Sequence, residues 1–449
     1  MAIYRGSRFA CAALLLGSLF GSNSPIRGQA GNTAATSESS SKPSSTRATS
    51  GTHPVAAAVP GTMGDAMSVA VTHQQIAGVC GGLPAQGSWD AASISPVSYP
   101  GVSPQPNVDS TFTGDSMSIA VDPFDSSTVW LGTGNMGLYK STACGAPGSW
   151  VKVNTGRNGT LLDQGSVWSM VVDPVHRGVI YTVLAYDAGP GGLVKSTDGG
   201  VNWVQLFPPS SQFAQGPAGN FVNNVSMDHT NSLHLVVESH GPNNGPGLIA
   251  ETFNGGITWP NVVSMPDDWA EKAGVQVINA TTWIWGDDTG SGSIYVTTNN
   301  GATWLPPQIA NNHPGFGLFP KGEFSILPLA PASDGAYYTT TGLGVIRSTD
   351  GVNWSLAWPE VNFGYANTSG IAVTSMTIYA GSDSGGSGST FYSAPLTNFS
   401  NWSAMTGIPN GLATNGAATF LAYDAANGIL YVSTWQAGVW RYVVPAQNR

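Results

Sequence analysis

The chain has 449 residues, of which 9% are charged and 41% hydrophobic, with 58 Gly and 30 Pro. So many turn residues with so few charges exclude a helical bundle, whose outer faces need charge, yet leave ample apolar material for a core. The formal net charge of −10 sets the surface against phosphate backbones, so nucleic acid is not an expected partner.

In chain order, residues 1–30 read as a secretory signal. Arg5 and Arg8 precede an apolar run from Phe9 to Phe20 that is too short to span a bilayer, and Gly28-Gln29-Ala30 offers small residues for cleavage. No later stretch is long and apolar enough to cross a membrane, so a secreted protein without a membrane span is expected. Residues 31–60 are Ser/Thr/Ala-rich without periodicity and read as a disordered linker; 61–449 read as one domain. Cys11 would leave with the signal. Cys80 and Cys144 would remain, in an oxidising space that permits a disulfide between them, with two free buried thiols as the alternative. GDAMSVAV (64–71) echoes GDSMSIAV (114–121), and no role is assigned to it.

From about residue 114 a unit recurs. It begins with an apolar run such as SMSIAVDP (116–123) or VWSMVVDP (167–174). A second β-rich run follows, as in TVWLGT, VIYTVL and ILYVST. The third is a hexapeptide: GLYKST, GLVKST, GLIAET, SIYVTT, GVIRST, STFYSA and finally GVWRYV. Six of these lead to a tryptophan: Trp150, Trp203, Trp259, Trp304, Trp354 and Trp402. Three short strands and a Trp-bearing fourth, joined by Gly/Asn/Asp turns and repeated seven times, predict an all-β, seven-bladed β-propeller with four-stranded blades. The last unit lacks an outer strand, while CGGLPAQGSW (80–89) offers a Trp-bearing strand without a blade. A strand near Trp89 is therefore expected to complete blade 7 and close the ring, which leaves no long edge and brings Cys80 beside Cys144.

The third strand of each unit runs into a hairpin: STDGGVNW (196–203), TFNGGITW (252–259), TTNNGATW (297–304) and the shorter STDGVNW (348–354). Blades 1 and 6 carry degenerate forms. Asp198, Asn254, Asn299 and Asp350 can accept hydrogen bonds from turn N–H groups, Gly can supply positive φ, and the Trp can pack between blades. Side chains that recur in near-copies around a ring are structural rather than catalytic. The hairpin resembles the Asp-box (BNR) repeat, S-x-D-x-G-x-T-W, of sialidase-type propellers, over most of residues 80–449. That resemblance implies that these turns lie on the face opposite the active site. Chemistry is then expected in the loops between blades and between second and third strands, on the other face.

Sialidases of this family resemble one another in an arginine triad that grips a carboxylate. Here Arg177, Arg347 and Arg441 fall in turns or strands, and only Arg157 falls in an upper loop, so sialidase activity is not the favoured reading. The repeat is also similar to that of xyloglucan-degrading hydrolases, which set one catalytic Asp on each of two propellers; this chain has repeats for one. A glycoside hydrolase needs two carboxylates flanking the bond. Asp115, Asp163 and Glu323, at the entrances of first strands, are the candidate catalytic acids, and Glu238 is one of several further loop acids. Trp168, Tyr186, Trp285 and Trp435 could stack on sugars, with Arg157, His240 and Asp287 completing a substrate-binding set. A polysaccharide lyase would use His240 with Arg157, Lys272 or Lys321, on a face whose acidity disfavours uronates. The favoured reading is a secreted hydrolase of a neutral glycan. The alternative is a non-catalytic, lectin-like propeller that binds glycan or protein, as similar repeats do in sortilin-like receptors and photosystem-assembly factors. No metal-binding or phosphate-loop motif is present, no cofactor is expected, and a monomer is.

Overall fold

The computed structural model describes residues 80–92, 116–134, 136–153, 155–163, 165–185, 192–206, 222–239, 247–265, 273–287, 294–305, 308–310, 331–341, 344–358, 367–383, 389–414, 418–434 and 437–449. All of them belong to one compact unit, Ser68–Arg449.

The β-branched and aromatic runs form strands, and the Gly/Asn/Asp clusters between them turn the chain. Blade 1 consists of Ser116–Val121, Val129–Thr133, Leu138–Ser141 and Val151–Lys152. Blade 2 consists of Met170–Val172, Ile180–Leu184, Gly192–Ser196 and Val204–Leu206. Blade 3 is the largest meander described: Val222–Asp228, Asn231–Ser239, Leu248–Thr252 and Asn261–Ser264. In blade 4, Ala273–Val277, Trp283–Asp287 and Ile294–Thr297 pair in order, and among the described residues the outer strand is a single Val296–Leu305 bridge. Blade 5 holds Tyr337–Thr341, Gly344–Ser348 and Asn353–Leu356, with Gln308–Ala310 added in parallel outside them. Blade 6 is Asn367–Val373, Thr377–Asp383, Ser389–Pro395 and Ser403–Ala404. Blade 7 is Ala418–Asp424, Ile429–Thr434 and Gly438–Val443, completed by Trp89–Ala91. The architecture is an all-β seven-bladed propeller.

Closure uses the N-terminal strand as the repeat pattern predicts. Trp89 pairs with Tyr442, Asp90 with Arg441 and Ala91 with Trp440. Arg441 is only 1% exposed. Its Nε donates to Asp90 Oδ1 at 3.0 Å and its Nη1 to the Cys144 carbonyl at 3.0 Å, so one guanidinium ties blade 7 to blade 1. The structure also joins Cys80 to Cys144 by a disulfide, with Cα atoms 5.4 Å apart. The Trp150 indole N–H donates to the Ala92 carbonyl at 2.8 Å, a third tie across the same junction.

Elsewhere, polar side chains clip the first five blades to one another in turn. Ser118 donates to the Val167 carbonyl at 2.7 Å. Ser169 accepts the Val225 N–H at 3.2 Å, Ser226 accepts the Val277 N–H at 3.0 Å, and Thr339 donates to Gln276 at 2.9 Å. The hairpin tryptophans fill the seams between. Trp203 is buried among Trp130, Leu138 and Val153 of the preceding blade, Trp354 among Ile278 and Ile284, and Trp402 donates to the Ala357 carbonyl at 2.6 Å. Removing a tryptophan buried this way would cost about 3–5 kcal/mol.

The turns themselves follow one hydrogen-bond pattern. Ser196 Oγ accepts the Gly200 N–H at 2.9 Å, while Asp198 accepts the Asn202 N–H at 2.8 Å and the Val201 N–H at 3.1 Å. Thr252 with Asn254, Thr297 with Asn299, and Ser348 with Asp350 repeat the arrangement. Gly199 and Gly200, at φ 70° and 84°, supply the left-handed backbone that lets the turn reverse.

Candidate active site

Asp163 ends a short 3-10 turn, Gly159–Asp163, that crosses from blade 1 to blade 2. Its carboxylate accepts Lys152 Nζ at 2.7 Å, and both side chains are largely buried. It rests on Gly137, where a Cβ would come 2.5 Å from Asp163 Oδ1; the glycine, at φ 89°, is needed there for space as well as for backbone. Thr133 braces the same turn by donating to the Gly137 carbonyl at 2.6 Å, and Thr434 does the same for Gly438 in blade 7 at 2.8 Å. Asp163 therefore sits over the second-to-third strand turn of blade 1, held by the outer strand, and not at the mouth of the inner strand.

The other candidates scatter. Arg157 is not gathered with Asp163. Its N–H donates to Asn202 Oδ1 at 2.8 Å and its carbonyl accepts the Trp203 N–H at 3.0 Å, so it leans on the blade 2 hairpin. There it lines a recess of about 600 Å3 together with Lys195, Asp198, Leu206 and Ile257. Lys195 crosses over the Tyr181 ring and donates to the Gly255 carbonyl at 3.1 Å. Burial pulls its ammonium below the usual range, and the Asp173 charge opposes that. Trp168 and Trp285 are core side chains, 4% and 0% exposed, and present no ring face to a sugar. Each ends a run adjoining a loop, but the neighbouring blade covers it. Asp287 ends the strand Trp283–Asp287 opposite Ala273. Asp115, Tyr186, His240, Glu323 and Trp435 lie outside the described residues.

Two polar clusters stand out, of which the sequence reading named only Glu238. His234 is fully buried between Asp228, 3.0 Å from Nδ1, and Glu251, 2.9 Å from Nε2, with Phe253 stacked on the ring. Burial alone would lower the imidazole pKa, but the two carboxylate hydrogen bonds outweigh it and hold the value above normal. Asn261 and Asn300 donate to Glu251 at 2.9 and 2.6 Å, and Thr230 to Asp228 at 2.7 Å, which completes a satisfied network. The second cluster, at the opposite end of the blade 3 inner strand, contains Asn223, Asn224 and Glu238, all fully buried. Aligning the inner strands on Asp122, Asp173 and Asp228 puts Asn224 where blades 1 and 2 have Ser118 and Ser169; that is the signal the sequence held.

The chain matches no protein-family profile. Among curated proteins it is 28% identical, over 214 residues, to a probable oligoxyloglucan-reducing end-specific xyloglucanase of Neosartorya fischeri. It is 25% identical over 284 residues to a xyloglucanase of Hypocrea jecorina, and 24% over 250 residues to one of a Paenibacillus species. These matches take in 47%, 55% and 48% of the chain, and only 22%, 33% and 23% of those proteins. Among solved structures, the Niastella koreensis GH74 enzyme superposes with a TM-score of 0.53 at 21% identity, covering 75% of this chain and 53% of that one. The Xanthomonas campestris GH74 xyloglucanase gives 0.51 at 13% identity, covering 80% and 54%. YCF48 from Cyanidioschyzon merolae gives 0.50 at 13% identity, covering 79% and 98%. At these identities the solved structures establish a shared fold, and the chain spans about half the length of the GH74 proteins it resembles.

Proposed function

We propose that this chain is a secreted, carbohydrate-active Asp-box propeller that hydrolyses a neutral polysaccharide or oligosaccharide through paired carboxylates. The observation that carries the reading is the sequence match to three proteins named as xyloglucanases. In this reading Asp163, its charge balanced by Lys152, serves as base or nucleophile, and Asp115 or Glu323 donates the proton to the leaving oxygen. Residues 1–30 act as the export signal, and the Cys80–Cys144 disulfide suits an oxidising destination. Among the described residues no helix is long and apolar enough to cross a membrane.

The test is release of reducing ends from xyloglucan, cellulose oligomers and mixed-linkage glucan by the wild type and by Asp115→Ala, Asp163→Ala and Glu323→Ala. A hydrolase loses at least a hundredfold in turnover with one or more of these changes. Glycan binding without turnover in the wild type defeats the enzyme reading, and turnover untouched by all three changes defeats the choice of residues.

A second reading is a non-catalytic binding propeller, favoured by one observation: the Asp163 carboxylate is already taken up by Lys152 at 2.7 Å. Binding without hydrolysis in the same screen would support it.

A further inference from the structure

In the first blades of the ring, the residue just before the apolar core of the inner strand meets the next blade. In blades 1 and 2 it is Ser118 and Ser169, and each hydroxyl is hydrogen-bonded to the backbone of the following blade. In blade 3 the same position is Asn224. Although fully buried, its amide nitrogen and oxygen have no partner among the described residues, and the clip to blade 4 comes from Ser226, two residues further on. Asn223, in the bulge between Val222 and Asn224, is likewise fully buried with both amide atoms unsatisfied. Bulges of this kind often re-aim a side chain beside a functional site.

The rest of the layer is also polar. Directly across the sheet from Asn224 stands Glu238, fully buried, where blade 1 has Gly132. A Cβ at Gly132 would collide with Ser118 and Val167, so the blade 1 seam is tight where the blade 3 seam holds two long polar side chains. Ile249, opposite Glu238, packs with Val236, Val275 and Trp285, which brings the blade 4 indole to this seam. The Trp285 N–H has no acceptor among the described residues.

A buried amide or indole group left without a partner weakens the fold, because it gave up its hydrogen bonds to water and gained none. At the aligned position the two preceding blades avoid that cost with serine, so the two asparagines of blade 3, with the Trp285 N–H in the same layer, call for a ligand. The chemistry of the layer selects it. Amide NH2 and indole N–H groups donate, and amide oxygens and the Glu238 carboxylate accept. A metal ion would leave the N–H groups facing a cation, and an anion would meet Glu238. A hydroxyl donates and accepts at once. We propose that the blade 3–4 seam is a binding pocket for the hydroxyl groups of a neutral sugar, contacted by Asn223, Asn224, Glu238 and the Trp285 N–H. The choice of a sugar over other polyols rests on the carbohydrate reading above.

The test uses the full chain, labelled with 15N, and D-xylose, D-glucose and D-galactose as probes. Binding is measured by calorimetry, and the Trp285 indole resonance, assigned by its loss in Trp285→Phe, reports the site. At least one sugar is expected to bind with one-to-one stoichiometry, move that resonance, and bind tenfold or more weakly to Asn224→Ala and Asn223→Ala. Thermal unfolding of the same variants is expected at or above the wild-type temperature, because the substitutions remove unsatisfied groups. No response to any of the three sugars, or a response unchanged in both asparagine variants, overturns the pocket and leaves the layer as internally hydrated packing. Polysaccharide hydrolysis assayed in parallel keeps the two proposals apart. A seam that binds sugar in a protein that hydrolyses nothing sinks only the hydrolase, and hydrolysis with a silent seam sinks only the pocket.

Discussion

The hairpins that end blades 1 and 2 begin alike and are anchored differently. In both, a serine hydroxyl accepts turn N–H groups: Ser141 from Ala143 and Gly145, and Ser196 from Gly200. In blade 2 the Asp198 carboxylate then gathers two further N–H groups and the Asn202 side chain. Blade 1 has no such carboxylate. Its turn carries Cys144, at φ 54°, bonded to Cys80 from the segment that leads to the closing strand. One turn is organised from within by an acceptor, and the other is held from outside by a covalent bond. The difference follows from position: blade 2 has covalent neighbours on both sides, whereas blade 1 faces the junction that the distant strand Trp89–Ala91 closes.

The most severe way to break this contrast is to remove the disulfide. With the cysteines 64 positions apart in sequence, loop entropy assigns it about 4 kcal/mol. Guanidinium unfolding of a Cys80→Ser, Cys144→Ser double variant should show a loss of that order; an unchanged midpoint would mean that closure rests on Arg441 and strand pairing alone. Arg441→Leu comes next. It leaves Asp90 without its partner and the Cys144 carbonyl without a donor, at a cost of about 3 kcal/mol. Double-mutant analysis with the disulfide variant should show coupling between the two ties. Asp198→Ala should cost about 1 kcal/mol and Asp198→Asn only a few tenths, since Asn254 and Asn299 do the same work in blades 3 and 4. Equal losses for Ala and Asn would show that the charge matters, and not the acceptor.

The smallest effect is the pH dependence of the blade 5 turn. Burial alone would raise the Asp350 pKa, but hydrogen bonds from Asn353, Val352 and Ser348 outweigh it and bring the value from 3.8 down to about 2. A carboxylate depressed in the folded state stabilises fully above its unfolded value and loses that contribution as the pH falls through its folded one. Melting temperatures of wild type and Asp350→Asn should therefore differ by a constant amount above about pH 4, and that difference should change between pH 4 and 2. A difference independent of pH across that window would remove the carboxylate from the account.

Much of the fold was legible because it repeats. Period and order survive in the chain even where individual residues drift, so three runs and a tryptophan could be followed through seven units, and the unit without an outer strand pointed to Trp89. The site was less legible. Arg157 lies between two blades in sequence and reads as an upper-loop cation, yet its backbone bonds to the hairpin of the next blade. Trp168 and Trp285 adjoin loops and read as sugar platforms, but packing buries both. Asn224 could be aligned with Ser118 and Ser169, but nothing in the alignment revealed that its amide would have no partner among the described residues.

The amino-acid sequence by itself determined the strand triplets, the blade count, the turn chemistry and the segment that closes the ring, because each depends on local propensity and a regular period. Only the tertiary structure decided which polar groups are satisfied, which aromatic rings are covered and which acid keeps company with a lysine. Those outcomes depend on what the adjacent blade places across a seam, and the residues that meet there are about 50 apart in the chain, as Ser118 and Val167 or Ser226 and Val277 are.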